Sequence, residues 1–284
     1  MVLKNENIDI SIIIPVYNGG NTIAEIIIDI QNLFAGQMLN YEIILVDNNS
    51  LDNSKSILNK YSEDHYFKVY FLNKNHGQQF ATLYGLVKSS GDILITLDDN
   101  INFKITELEN LIVALDCSKT DVIYGVYSTN YSGLLKLFAY RSYRLILKIL
   151  NIKKGYSIRI ITRNAFNKII SRKYFYVNID EFIFQNQLRV QYFPLKMIKR
   201  NKSKLTTKEL LKIAFRSLLY SHNLSWWHYQ ILCLAFLIPY LITNIVLLLY
   251  PFILLEILVL LLYTFLRKQK TISEFILNVP CKSQ

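Results

Sequence analysis

Asp98, Asp99 and Asn100 follow directly on an apolar run, Ile93-Leu94-Ile95-Thr96-Leu97. Two adjacent carboxylates at the end of a buried strand are costly to desolvate unless something partners them. Oxygen ligands of this kind suit a hard divalent cation such as Mg²⁺ or Mn²⁺. A plain strand-terminal turn is the competing reading, and Asn100 sharpens the choice, because it puts an amide where a cation site would most want a third carboxylate. Two other apolar runs also end in polar groups, at Pro15-Val16-Tyr17-Asn18 and at Asp47-Asn48-Asn49-Ser50. In isolation Asp47-Asn48-Asn49-Ser50 reads as a turn closed by side-chain hydrogen bonds.

These groups need elements that bring them together. Ile8 to Ile14 is β-branched and reads as a buried strand ending at Pro15, and Asn21 to Phe34 has helical periodicity. Glu42 to Val46 is a second strand, Asp52 to Tyr61 a helix, and Lys68 to Leu72 a third strand. The loop and helix that follow stop near Gly91, and Ile93 to Leu97 is the fourth strand. Thr106-Glu107-Leu108-Glu109 opens a helix to about Leu115 as a capping box, and Val122 to Val126 is a fifth strand. Alternation of this kind predicts a mainly parallel sheet with helices on both faces. Ligands in such sheets bind beyond the carboxyl ends of the strands, where all three polar tips fall.

The second half differs in charge and hydropathy. The net charge is +11, concentrated where Asp121 to Asp180 encloses 11 Lys and Arg without an acidic residue. Eight more cations lie between Lys196 and His222 against the single Glu209. Hydrophobic residues make up 52% of the chain, and Tyr229 to Leu266 is nearly free of charge. Thr206 to Asn223 places Leu210, Leu211, Ile213, Ala214, Leu218 and Leu219 on one side and Lys208, Lys212 and Arg216 on the other. That pattern suits an interfacial helix on an anionic bilayer. Trp226-Trp227-His228 reads as an interfacial belt. Tyr229 to Tyr250 is about 33 Å long as a helix, enough to span, whereas Phe252 to Leu266 reaches about 22 Å and carries Glu256. If both segments cross, Arg267, Lys268 and Lys270 return to the cytoplasm as the positive-inside tendency prefers, and if the second does not, it is re-entrant or buried against a partner. Lys4-Asn5-Glu6-Asn7 shows no signal-peptide pattern, and Cys117, Cys233 and Cys281 have no zinc-like spacing. No nucleic-acid-binding signature is present, so the basic stretches point to phosphates and a membrane surface.

Four stretches, "SIIIPVYNGGNTI", "YEIILVDNNSLDNS", "NKNHGQQFATLYGLVKSSGDILITLDDN" and the late "RNKSK", together resemble the polyprenyl-phosphate branch of glycosyltransferase family 2, over about Ser11 to Lys204. The resemblance implies an α/β, GT-A-like Rossmann-type fold of mainly parallel sheet. It divides the chain into a cytoplasmic domain (1–204), an amphipathic juxtamembrane helix (205–225), two transmembrane helices (226–270) and a cytoplasmic tail (271–284). It implies transfer of a sugar from a nucleotide-diphosphate donor, expected to be a UDP-sugar, to a polyprenyl phosphate carrier, with inversion. The multi-pass protein would sit in the cytoplasmic membrane, with room left for a homo-oligomer.

By the same resemblance, Pro15, Tyr17, Asp47, Asn48, Asp98 and Asp99 would bind the nucleotide. Asp98 matches the first Asp of an Asp-x-Asp motif. Asn100 replaces the second, and Asn102 stands where relatives often carry Gln, so Asp98, Asn100 and Asn102 form the expected metal set for Mg²⁺ or Mn²⁺. Arg159 and Arg163 match two phosphate-binding arginines, with Asp98 and Arg159 as the catalytic pair. Ser157 and Thr162 replace acidic residues there. Arg200, Ser203 and Lys204 match a further phosphate-binding segment. An acceptor phosphate, with a second pKa near about 6, needs no general base. Two alternatives remain at this point. One is a sugar-hydroxyl acceptor with Asp180 or Glu181 as base, and the other is a membrane scaffold without catalysis.

Overall fold

Seven consecutive buried residues, Ile10–Val16, form the central strand β1. The structure, a computed structural model, describes residues 8–101, 103–118, 120–126, 156, 158–171, 173–174, 177–196, 257, 270–271 and 281–283. After β1 come α1 (Ile23–Phe34), β2 (Tyr41–Asp47), α2 (Ser54–Asn59), β3 (Phe67–Leu72), α3 (Gln78–Lys88), β4 (Ile93–Thr96), α4 (Glu107–Ser118) and β5 (Val122–Val126). Then follow β6 (Arg159–Thr162), α5 (Arg163–Ile170), β7 (Lys173–Tyr174), α6 (Ile179–Gln185), β8 (Val190–Pro194), β9 (Lys270–Thr271) and β10 (Cys281–Ser283).

Eight strands make one sheet in the order β10-β3-β2-β1-β4-β6-β5-β8, while β7 and β9 pair separately. The ladders β3-β2-β1-β4 are parallel, as is β5-β8. β6 runs antiparallel to both β4 and β5, and β10 is antiparallel to β3. The expected mainly parallel α/β sheet is therefore present, with helices on both faces. On one face Ile12, Ile14, Ile43, Leu45 and Ile95 meet α1 and α4 through residues such as Ile27, Ile30, Leu108 and Leu111. On the other, Ile13, Ile44, Leu94, Tyr124 and Ile161 meet α3, α5 and α6.

Several boundaries differ from the sequence reading. β1 continues through Pro15 to Val16, because Pro15 lies on the side of the strand facing β4, where the ladder is already ending. Leu97 donates to the Ile13 carbonyl, and the next donor on that edge would be the N–H that proline lacks. The first N–H groups of α4 are taken by the carbonyls of Lys104, Ile105 and Thr106, and the helix runs past Leu115 to Ser118. Strands β6 and β8, which the sequence reading did not assign, complete the sheet. Among the described residues no helix is long and apolar enough to cross a membrane. The expected interfacial helix and, Ile257 apart, the expected spans lie outside the described residues. So do Asn102, Ser157, Arg200, Ser203 and Lys204.

Candidate active site

Strand order reverses between β1 and β4, and the ladder between these two strands parts just where both reach the rim. Open α/β sheets bind ligands at such a switch point. From the β1 side come Tyr17, Asn18 and Gly19. From the β4 side come Asp98 and Asp99.

The two carboxylates go separate ways, continuing the alternation of a strand. Asp99 turns toward α1. Its Oδ2 accepts the Tyr17 backbone N–H at 2.9 Å, and its carbonyl accepts the Thr22 hydroxyl. Gly19 lies so close that a Cβ there would meet Asp99 Oδ2 at 2.9 Å. Burial pushes the Asp99 carboxyl up, the neighbouring Asp98 charge adds to this, and the Tyr17 N–H partly offsets it. Asp98 turns toward α3, where the side-chain amide of Gln78 donates to its Oδ1. Asp98 is therefore the carboxylate offered on the sheet face that α3 covers, and Asp99 is the latch between the tips of β1 and β4. Asn100 is exposed beside them.

The tips of β1 and β2 are clasped. Asn18 and Asn49 have φ of 53° and 61°, a left-handed backbone that asparagine tolerates. The Asn18 N–H donates to Ser50 Oγ at 3.0 Å, and the Leu51 N–H donates to Asn18 Oδ1 at 2.8 Å. Asp47 is 0% exposed and its carboxylate accepts the Ser50 N–H, the side-chain-closed turn of the sequence reading. Burial raises its pKa against the pull of Ser50. Asn48 is 2% exposed, and its amide is spent on the β3–α3 loop. Nδ2 donates to Asn75 Oδ1 at 2.9 Å, and Oδ1 accepts the His76 N–H at 2.9 Å. Asp47 and Asn48 thus shape the rim from within, whereas Tyr17 is 44% exposed at its mouth.

Arg159 is tied down. It pairs with Thr96 across β4 and β6, and with Tyr124 across β6 and β5. Its Nε and Nη2 grip both oxygens of Asp180 at 2.8 and 3.0 Å, and Nη1 reaches Thr96 Oγ1 at 3.3 Å. The Tyr124 hydroxyl donates to Asp180 Oδ1 at 2.8 Å. Burial works against the guanidinium charge, but the Asp180 carboxylate outweighs it and holds Arg159 protonated. Burial and the Asp180 charge also push the Tyr124 hydroxyl up. Arg159 is 2% exposed, and its described contacts with Asp180, Thr96 and Tyr124 tie α6, β4 and β5 together. Asn178 caps that helix by accepting the Asp180 and Glu181 N–H groups.

Arg163 is not brought to the rim at all. It donates to the Gly91 carbonyl and to Ser89 Oγ, at the opposite end of β4 from Asp98. β6 runs antiparallel to β4, so Arg159 sits beside Thr96 and Arg163 follows the residue beside Ile93. Thr162 caps α5 by accepting the Ala165 N–H at 3.2 Å, a task at which Thr and Asp are near equivalents. Replacing an acidic residue there costs the local fold little.

Gln78, Asn75, His76, Tyr124 and Asp180 join the site's framework although the sequence reading gave them no part in it beyond naming Asp180 as a base. Their types carry no signal on their own. Only the meeting of the β3–α3 loop with the tip of β2, of α3 with the tip of β4, and of β5 with α6 gives them roles. Among the described residues no three His, Cys, Asp or Glu converge as an all-protein metal cage would require.

Solved structures share this fold. Glucosyl-3-phosphoglycerate synthase from Mycobacterium tuberculosis, crystallised with Mn²⁺, UDP and glucosyl-3-phosphoglycerate, superposes with a TM-score of 0.57 at 17% identity, covering 75% of this chain and 78% of that one. Mannosyl-3-phosphoglycerate synthase from Rubrobacter xylanophilus gives 0.55 at 16% identity, over 74% of this chain and 72% of that one. By sequence, the chain is 35% identical over 113 residues to undecaprenyl-phosphate 4-deoxy-4-formamido-L-arabinose transferase of Shewanella sediminis (strain HAW-EB3). The match covers 38% of this chain and 34% of that protein. It is 29% identical over 141 residues to the enzyme of the same name from Salmonella choleraesuis (strain SC-B67), 49% of this chain and 43% of that protein. The chain therefore spans less than half the length of these relatives. The profile of Glycosyl transferase family 2 matches residues 11–177, more than half of the chain, which therefore belongs to that family.

Proposed function

We propose that the protein is an inverting glycosyltransferase that moves a sugar from a nucleotide diphosphate, a UDP-sugar in first place, to a polyprenyl phosphate at a membrane. The observation that carries this reading is Asp98 at the switch point between β1 and β4, flanked by the N-termini of α1 and α3. Helix N-termini favour anions, so the rim suits a diphosphate that gains charge as it leaves. Tyr17, exposed at the mouth, would face the nucleotide, with Pro15, Asp47 and Asn48 shaping the floor.

The donor set at the rim fits a hard divalent cation held by few protein ligands. Mg²⁺ commonly takes one or two carboxylates together with substrate phosphates. Asp98 would hold it, with the Asn100 carbonyl as a neutral partner and Asn102 as a further expected ligand. When bound, such an ion supplies charge neutralisation to the leaving diphosphate. The protein's own contribution is orientation. Asp99 fixes the gap between the tips of β1 and β4, and Gln78 holds Asp98. One oxygen of the acceptor phosphate attacks the anomeric carbon while the bond to the β-phosphate oxygen breaks, releasing the nucleoside diphosphate and inverting the anomeric centre. The acceptor dianion is nucleophilic without a base. The sugar-hydroxyl alternative would need Asp180 or Glu181 as a base. Both oxygens of Asp180 are engaged by Arg159, which weighs against Asp180 in that role.

Arg200, Ser203 and Lys204 remain expected phosphate contacts, and the apolar segment beyond Tyr229 the expected anchor. Incubation of the membrane-extracted full chain with radiolabelled UDP-sugars and undecaprenyl phosphate, with and without Mg²⁺ or Mn²⁺, tests the reading. Transfer should appear with at least one UDP-sugar and fall about 100-fold or more in Asp98→Ala. Undiminished transfer by that variant would put the chemistry elsewhere, and UDP binding without transfer to any lipid phosphate would favour a scaffold.

A further inference from the structure

Gln78 is the first residue of α3, and its position is dictated from outside the helix. Gly77, with φ of 88°, turns the chain into the helix, and its N–H donates to Asn75 Oδ1 at 2.8 Å. That same oxygen takes the Asn48 amide, and the His76 N–H is held by Asn48 Oδ1. The loop is thus pinned to the tip of β2, and the pin fixes where α3 begins. The next two side chains then reach in different directions. Gln78 donates to Asp98 at the tip of β4, and Gln79 Oε1 accepts the Ile179 N–H at the start of α6, at 3.2 Å.

The type of donor matters. A Lys or Arg at this place would form an ion pair and spend the Asp98 charge. A carboxamide N–H fixes the carboxylate's orientation without neutralising it. We propose that Gln78 is a positioning residue for Asp98, a neutral clamp that presets this carboxylate for the divalent-cation complex of the donor nucleotide. The inference rests on the proposed donor site and assigns within it a residue that acts through Asp98.

The test is Mn²⁺-dependent binding of UDP to the full chain, by calorimetry between about pH 5 and 8. Wild type is compared with Gln78→Ala, Gln78→Glu and Asp98→Asn, and apo melting curves verify folding. Asp98→Asn should abolish the Mn²⁺ dependence. Gln78→Ala should weaken Mn²⁺-UDP binding roughly 10- to 100-fold, the range for a lost hydrogen bond to a charged group, with the apo melting curve little changed. Gln78→Glu keeps the shape but shares a proton with Asp98, so its affinity should drop more steeply than wild type's as pH falls, over and above the titration of the UDP phosphate that both share. If Asp98→Asn loses the dependence while both Gln78 variants bind as wild type does, with its pH profile, the positioning role is wrong. If Asp98→Asn itself binds normally, the donor-site reading fails and takes the clamp with it.

Discussion

Asp180 shows how far one residue's role depends on what it touches. It satisfies a guanidinium that is almost wholly buried, and it also accepts from Tyr124. Removing one partner of a buried pair leaves an uncompensated charge, so Asp180→Ala should cost about 3–5 kcal/mol in urea denaturation. A double change of Arg159→Met with Asp180→Leu should recover most of that loss. Equal midpoints for Asp180→Ala and wild type would free Arg159 for the phosphate role that its place in the motif suggests. Glu42 sits at the far end of the sheet, bonded to Ser11 Oγ, the Ser90 N–H and Lys68. Burial pushes its carboxyl up, but the bonds from Lys68, Ser11 and Ser90 prevail and hold it below 4.5. A lowered carboxylate contributes stability that is present above its unfolded pKa and lost as pH falls through the folded value. Acidification below 4.5 should therefore destabilise wild type more steeply than Glu42→Gln, and parallel urea midpoints against pH would contradict this. From the sequence, the motif made both Arg159 and Arg163 phosphate-binding residues. Strand direction separates them, because an antiparallel β6 carries one toward the rim and the other away from it.

At the scale of elements, β1 through β5 were legible because each is a short apolar run, rich in β-branched or aromatic residues, between turn formers. Their ends were less so. Pro15 reads as a terminator by type, yet stays in β1 because its missing donor faces an edge the ladder has left. β6 and β8 are short and flanked by basic residues, and only their neighbours make them strands. The close fit of α3 to the sheet carries its own prediction. A Cβ on Gly85 would lie 2.5 Å from Ile13 Cγ2 and 3.2 Å from Val46 Cγ2, both in the fully buried core. Gly85→Ala gains about 1 kcal/mol of helix propensity. Overpacking against branched side chains that cannot withdraw costs about 1–3 kcal/mol, so the variant should unfold at lower denaturant. An unchanged or higher midpoint would mean that α3 can lift from β1 without penalty. Because α3 also delivers Gln78, such lifting would loosen Asp98 as well.

For the whole molecule, β10 is the informative element. Cys281–Ser283 pairs antiparallel with Tyr70–Leu72 at the sheet's edge, and Lys270–Thr271 pairs with Lys173–Tyr174. Residues on both sides of the apolar segment therefore belong to the same domain. If the apolar segment enters a bilayer, as proposed, it must cross an even number of times. Epitopes placed before Met1 and after Gln284 should then be equally protected from protease in spheroplasts and equally cut in inverted vesicles. Opposite responses would require an odd number of crossings. The sequence by itself determined the parallel α/β core, the polar tips at the carboxyl ends of its strands and the family, because hydrophobic period and local turn chemistry are written in consecutive residues. Only the tertiary structure decided which carboxylate is offered and which is a latch, that Arg159 is bound to Asp180, and that Gln78 holds Asp98. Each of those pairings joins residues at least 20 positions apart in the chain, and strand order and direction alone bring them within hydrogen-bond reach.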